Sequence, residues 1–311
     1  MVLVLQIRSV PKQSYSRYKK YQHTRSFSSA SITTDLASRV SSSTKISPLA
    51  RIGPYCVVGS ETILADDVNL LSHVVIGDNT VIKNNTTVFP FACLGMIPQD
   101  RKFRGEKTQL VIGQNCTIRE HVTINLGTLG GGSKTEVGDN CLIMSGVHIG
   151  HDCTIENDVI IASGTSLAGH VQVGQHSVIG GHCGIHQHVH LGKYSYIGAG
   201  TIVKKDVIPY ALIDVGASPY TAIMKGLNLK GFKRLKLDSD IIKEIKRGYD
   251  ELFLRRDFTM SFIEHVLKVS KSNWFSFQAS QEARKILLDI ISFIDSRKDS
   301  KYGLCLPQEP Q

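Results

Sequence analysis

From Ile46 onward an aliphatic residue recurs at every sixth position. The series runs Ile46, Ile52, Val58, Leu64, Leu70, Ile76, Ile82, Val88 and Leu94. It resumes at Ile112, Ile118 and Ile124, then runs unbroken in steps of six from Val137 to Val203. A helix would space its apolar residues by three and four, and an amphipathic strand by two. A period of six predicts a parallel β-helix of hexapeptide repeats, in which short strands meet at tight turns and each aliphatic residue points into a narrow core. Three hexads close one triangular coil, so residues 18 apart stack on the same face, roughly 4.8 Å apart along the axis.

Two segments interrupt the count. Residues 98–109 (PQDRKFRGEKTQ) form an insertion, and residues 126–136 (LGTLGGGSKTE) form a Gly-rich excursion. Loops that leave a solenoid are common sites of binding residues. The Gly-rich loop has no following Gly-Lys-Ser/Thr and helix, so it is not read as a P-loop.

After Pro209 the repeat stops, and from about residue 217 the spacing becomes helical. Ile241, Ile242, Ile245, Tyr249 and Leu252 share one face, with Asp238 or Ser239 as N-cap. Ile286, Leu287, Ile290, Ile291 and Ile294 share another, and the tail from Ser296 is expected to fray. The predicted architecture is an all-β solenoid over 46–216 followed by a small α-helical C-terminal domain over 217–311.

Composition adds the front end. The net charge is +9, but six basic residues (Arg8, Lys12, Arg17, Lys19, Lys20 and Arg25) lie in the first 27 positions with no Asp or Glu, leaving 9 − 6 = +3 for the rest. A basic, acid-free, Ser-rich leader without a long apolar stretch has the composition of an organelle transit peptide. Residues 1–45 are therefore read as a transit peptide and disordered lead. Arg25-Ser26-Phe27-Ser28-Ser29 suggests cleavage near 27/28 and a mitochondrial destination, with a plastid as the other possibility. Nucleic-acid binding is not expected, because most of the charge excess leaves with the leader. No run of 18 apolar residues occurs, so no membrane span is expected. Of the seven cysteines, Cys56, Cys116, Cys141, Cys153 and Cys183 each fall four residues after an aliphatic position. They read as small packed side chains in a reducing compartment rather than as disulfides or a zinc site.

Candidate chemistry gathers in one stretch. Eight of the twelve histidines lie between 148 and 190. The 18-residue stacking places Gly169 and Gln187 above His151, with Asp152, His170 and His186 beside them and His148 at the neighbouring corner. A neutral imidazole accepts a proton near pH 7, and an adjacent carboxylate orients it and stabilises the imidazolium. Gly169 offers an unobstructed N–H for an oxyanion. Three other readings stand beside this one. One has histidines such as His176, His182, His188 and His190 simply suiting turns; another has the cluster binding zinc between subunits, as in β-helix carbonic anhydrases; the third makes the solenoid a non-catalytic subunit.

Several motifs go beyond the generic hexapeptide: Q99-D-R-K-F-R-G-E106, I118-R-E-H-V-T-I124, G127-T with G130-G-G132, H148-I-G-H-D-C153, L167-A-G-H-V171, I185-H-Q187 and D206-V-I-P-Y210. On these the chain, over roughly 46–260, resembles the acyl-ACP:UDP-N-acetylglucosamine O-acyltransferases that begin lipid A synthesis. The resemblance implies a left-handed coil, a hand that departs from the usual crossover rule. It implies His151 as general base, Asp152 as its partner and the Gly169 N–H as oxyanion donor. Asp100 and Lys102 match a sugar- and acyl-contacting pair, and His148, His170, His186 and Gln187 match residues lining the pocket. Acyl carrier protein as donor, UDP-N-acetylglucosamine as acceptor and a homotrimer are implied, with no metal or redox cofactor. Where the family carries paired basic residues before Gly-Phe to contact the nucleotide, this chain has Leu229-Lys230. The position that limits acyl length is Ala199. The basic run Lys225, Lys230, Lys233, Arg234 and Lys236 suits either a solvated face or an acidic carrier protein.

Overall fold

The computed structural model describes residues 33–216, 221–255, 261–271, 279–300 and 303–307. Of the leader expected over residues 1–45, residues 1–32 lie outside the described residues. From Thr33 the chain winds into a left-handed parallel β-helix. Most strands are two residues long, and they stack into a first face of eleven strands, a second of nine and a third of eight. Every pairing within the coils is parallel; Ile149, for example, sits between Ile124 and Leu167 on the second face. The aliphatic residues of the six-residue period fill the prism, and Ile143, Ile149, Ile161, Leu167 and Ile179 are fully buried.

The corners explain the rest of the hexad. Three residues after most aliphatic positions the backbone takes a positive φ, at Tyr55, Asp67, Asn85, His121, Asp152, Asp158, His170, His176, His182, His188 and Tyr194 among others. Asn, Asp and His are the non-glycine residues that best tolerate this conformation. One position later comes the small residue inside the prism. Where that residue is Cys, Thr or Ser, its side chain can donate to a carbonyl of the next coil: Cys153 Sγ to Ala168 O at 3.1 Å, Cys183 Sγ to Gly198 O at 3.1 Å, and equally Thr165 Oγ1 to Gly180 O at 2.7 Å. Cysteine therefore serves there both as a small apolar filler and as a weak donor, which is why it alternates with Thr and Ser.

Three boundaries differ from the sequence reading. Strands at Thr33–Thr34, Arg39–Val40 and Lys45–Ile46 place residues 33–45 in the solenoid rather than in a disordered lead. Thr34 and Val40 continue the period, but a polar member at 34 disguises it. Helix does not begin near 217. Ala211–Val215 and Ala222–Leu227 pair antiparallel on the edge of the first face, with Met224 and Leu227 buried, and cover the open end of the coil. Helices follow at Leu229–Arg234 (α1), Ser239–Phe253 (α2), Phe262–Ser270 (α3) and Gln281–Ser296 (α4). The tail is also partly held: Gly303 O accepts from Asp206 N at 3.0 Å, and Cys305 N donates to Asp206 O at 2.8 Å.

α4 buries its predicted face, Ile286, Leu287, Ile290, Ile291 and Ile294. Leu287 lies so close to Gly248 of α2 that a Cβ there would approach it within 2.4 Å. Salt bridges from Lys193 to Asp289 (2.8 Å) and from Arg297 to the buried Asp206 (2.7 Å) tie the helices to the solenoid. Among the described residues no helix is long and apolar enough to cross a membrane.

Candidate active site

Both interruptions of the repeat leave the same corner of the prism, between the second and third faces. The insertion occupies the gap between strands Cys93–Met96 and Gln109–Ile112, and the excursion the gap between Thr123–Asn125 and Lys134–Val137. His151 and Asp152 turn that corner one coil further on, between His148–Ile149 and Thr154–Ile155. Two loops and the densest histidine stretch therefore converge on one edge.

At its centre the His151 Nδ1 and Asp152 Oδ2 atoms are 2.7 Å apart, and both residues are buried. An ionised carboxylate only accepts, so Nδ1 carries the proton and Nε2 keeps its lone pair. The Asp152 side chain is wholly inaccessible. Its charge is met by two further donors, the Thr128 N–H to Oδ1 at 2.6 Å and the Thr128 hydroxyl to Oδ2 at 2.7 Å. The Asp152 N–H donates to Thr135 Oγ1 at 2.8 Å. Thr128 and Thr135 belong to segments singled out in the sequence for their glycines, and no role for either was legible there.

Gly169 sits one coil above His151. A Cβ on it would lie 2.6 Å from His151 Cε1 and 2.7 Å from Nε2, so the ring occupies the space that a side chain would take. Some equivalent corner N–H groups are capped by side chains, as at Gln114 by Asp139 and at Asp139 by Asn157. The Gly169 N–H has no hydrogen-bond acceptor among the described residues. An imidazole base packed on a residue with an uncapped N–H supplies the two groups that acyl transfer requires.

The other predicted residues fall at graded distances. His170 Nε2 is 3.6 Å from Asp152 Oδ2, and its ring meets that of His151 edge-on at 5.0 Å. Burial lowers the His170 pKa, with the nearby Asp152 pulling the other way. His148 Nδ1 bonds Thr123 Oγ1 at 2.8 Å, and its pKa is lowered by burial and then by His151. His186 and Gln187 are exposed, two coils above on the same corner. Lys102 is exposed on the insertion, its N–H bonded to Asp100 Oδ1 at 2.9 Å. His188, taken from the sequence as a turn residue, stacks on His170 at 4.5 Å.

Lys230 and Ala199 are not brought to His151 within one chain. Lys230 lies on α1, whose N-cap Asn228 bonds the Tyr194 carbonyl at the corner between the third and first faces. Ala199 turns the remaining corner, after Tyr196–Ile197.

His151, Asp152 and His170 also offer three ligand atoms within 4.8 Å of one another, a spacing open to a metal. Both Asp152 oxygens already accept strong hydrogen bonds from Thr128 and His151. Those bonds suit a carboxylate that orients an imidazole better than one that ligates an ion.

Comparison with known proteins agrees with this geometry. A family model described as UDP-N-acetylglucosamine O-acyltransferase, domain 2, matches residues 206–305. Two hexapeptide models match 134–169 (bacterial transferase hexapeptide) and 170–205 (hexapeptide repeat of succinyl-transferase). An acyl-[acyl-carrier-protein]–UDP-N-acetylglucosamine O-acyltransferase of Methylobacterium radiotolerans is 46% identical over 222 residues, covering 71% of this chain and 75% of that protein. The enzyme of the same name from Xylella fastidiosa is 38% identical over 163 residues, 52% of this chain, and the match spans 61% of that protein's length. The solved UDP-N-acetylglucosamine acyltransferase of Francisella novicida superposes with a TM-score of 0.78 at 33% identity, covering 89% of this chain and 94% of that one. With that likeness in both sequence and coil, this chain belongs to the UDP-N-acetylglucosamine O-acyltransferase family.

Proposed function

We propose that this protein transfers a 3-hydroxyacyl group from acyl carrier protein to the 3-hydroxyl of UDP-N-acetylglucosamine, the opening step of lipid A-type synthesis. The observation that carries the reading is the His151 imidazole, fixed through Nδ1 on Asp152, with its ring against the Cα of Gly169, a residue whose N–H is uncapped. Nε2 takes the proton of the sugar hydroxyl as its oxygen attacks the thioester carbonyl. The tetrahedral oxyanion is held by the Gly169 N–H, and Asp152 stabilises the imidazolium that has formed. When the C–S bond breaks, the leaving thiolate recovers that proton from Nε2, which regenerates the neutral base.

The insertion carrying Asp100 and Lys102 borders the pocket that His148, His170, His186 and Gln187 line, and these residues form its sugar and thioester walls. Lys230 and Ala199, on the other two corners, reach a bound substrate only from neighbouring copies, which supports a homotrimer with sites between subunits. Lys230 then contacts the nucleotide, and Ala199 limits the acyl chain. The basic run from Lys225 to Lys236 meets the acidic carrier protein by electrostatic steering. The acid-free leader directs the protein to mitochondria, which contain such a carrier.

The test supplies purified protein from Ser28 onward with 3-hydroxyacyl-carrier protein and UDP-N-acetylglucosamine. Ester at the sugar 3-position supports the proposal; transfer only to a different acceptor would replace it with a related acyltransferase. Metal analysis of the same sample addresses a second reading, favoured by the His151–Asp152–His170 spacing, of a zinc-binding trimer. Stoichiometric zinc would support that reading. Import of the leader fused to a reporter into isolated mitochondria tests the destination.

A further inference from the structure

The Gly-rich excursion departs from the solenoid and returns in register, with Lys134–Val137 pairing Gln109–Ile112 as an ordinary coil would. A shorter turn would close that corner. What the excursion adds is a 3-10 turn over Leu129–Gly131 with Thr128 at its N-cap. A threonine in that position ordinarily spends its hydroxyl on the N–H groups of the turn it begins. Thr128 makes no such capping bond. Its hydroxyl and its N–H both turn to Asp152 instead, at 2.7 and 2.6 Å. The turn packs so closely on the same group that a Cβ at Gly131 would meet the Asp152 carboxylate carbon. Thr128 is itself buried, and Asp152 sits in a left-handed turn conformation with φ of 61°.

We propose that Thr128 is a positioning residue for the base. Donating from both its N–H and its hydroxyl, it fixes the Asp152 carboxylate so that Oδ2 holds the His151 Nδ1–H and Nε2 is kept toward the acceptor. The excursion 126–133 delivers that residue to the corner. This inference rests on His151 acting as the base of the transfer proposed above. A carboxylate with one bond to each oxygen from a single residue cannot rotate about Cβ–Cγ without breaking one of them. Removing the hydroxyl leaves Oδ2 with the imidazole alone and residue 128 with only its N–H on Oδ1, so the carboxylate is held less firmly against rotation. Thr128 touches no reacting atom, so its loss acts on the rate through the orientation of His151 and leaves substrate binding in place.

The experiment compares wild type with Thr128→Val, Thr128→Ser and Gly131→Ala. It uses steady-state kinetics with 3-hydroxyacyl-carrier protein and UDP-N-acetylglucosamine, together with ¹⁵N NMR of histidine-labelled protein. Loss of one hydrogen bond to a charged group predicts that Thr128→Val lowers kcat by roughly ten- to a hundredfold. KM for both substrates should stay within about twofold, and Thr128→Ser should recover kcat to within about threefold. In the spectrum, wild-type His151 shows a protonated Nδ1, and Thr128→Val shows a mixture of tautomers. Gly131→Ala, whose new methyl would meet the Asp152 carboxylate, should reproduce both effects and provides the comparison if Thr128→Val does not fold. A His151 tautomer and kcat unchanged in Thr128→Val or, where that variant is unfolded, in Gly131→Ala would overturn the proposal. Because the tautomer is read without substrate, failure of the transfer reaction in wild type is distinguishable from failure of this positioning role.

Discussion

The imidazole of His151 lies against the α-carbon of Gly169 on the coil above, so close that a methyl group there would come within 2.6 Å of Cε1 and 2.7 Å of Nε2. Glycine at 169 thus serves the ring as well as exposing a backbone donor. Gly169→Ala must tilt the imidazole or shift the coil, and a displacement of about 1 Å at a reacting group costs on the order of a hundredfold in rate. The expected outcome is a kcat/KM at least about a hundredfold lower, with the circular dichroism spectrum unchanged. Near-normal kinetics would show that the ring has room to move.

Acidification should weaken the fold in a defined window. Burial lowers the pKa of His148, His170 and His190 in the folded chain. A histidine with a depressed folded pKa binds protons more readily when unfolded. Its stabilising contribution is therefore complete above the unfolded value near 6.5 and is lost as pH falls toward the folded value. The urea midpoint should drop between pH 7.5 and 5.5, and His148→Gln should make that drop smaller. A midpoint that rises on acidification contradicts the sign.

The seven thiols should divide sharply. Cys56, Cys116, Cys141, Cys153, Cys183 and Cys305 are buried, whereas Cys93 lies half-buried on the outside of the second face. An aromatic disulfide reagent should titrate one thiol in the native protein and all seven in denaturant. Rapid reaction of several native thiols would mean that the prism opens readily.

Neighbouring isoleucines test the hexad itself. Ile161 is fully buried and Ile160, its partner in a two-residue strand, points outward. Ile161→Ala should cost about 2–5 kcal/mol, as large-to-small core changes do. Ile160→Ala should cost less than about 1 kcal/mol. Denaturant melts of the two variants compare them directly; equal losses would contradict the period.

Most of the architecture was legible because a side chain in a coil this narrow is either inside or outside, and every sixth residue must fill the prism. Where one member of the series is polar, as at Thr34, the pattern hides its own continuation. The stretch Ala222–Leu227 looked helical because its apolar residues answer to an antiparallel edge, not to the coil. Stacking at intervals of 18 correctly gathered His151, Asp152, Gly169 and His170. It could not show that both interruptions leave the corner at which His151 sits, because that depends on which face each flanking strand joins. Nor could it assign a role to Thr128, which reaches Asp152 from an excursion that has no fixed register.

The histidine richness carries a separate lesson. His170, His176, His182 and His188 occupy the positive-φ position of the hexad, where turn chemistry alone favours them. His148, His151, His186 and His190 do not, and three of these four are the histidines other than His170 assigned to the site. Position within the repeat thus separates a histidine that suits a corner from one whose presence the corner does not explain.

The most direct test of the account is the rate of acyl transfer to UDP-N-acetylglucosamine by His151→Ala beside the wild type, with folding checked by circular dichroism. Loss of a positioned general base predicts a fall in kcat of roughly a hundred- to ten-thousandfold. A folded variant that transfers the acyl group at the wild-type rate would contradict the assignment of His151.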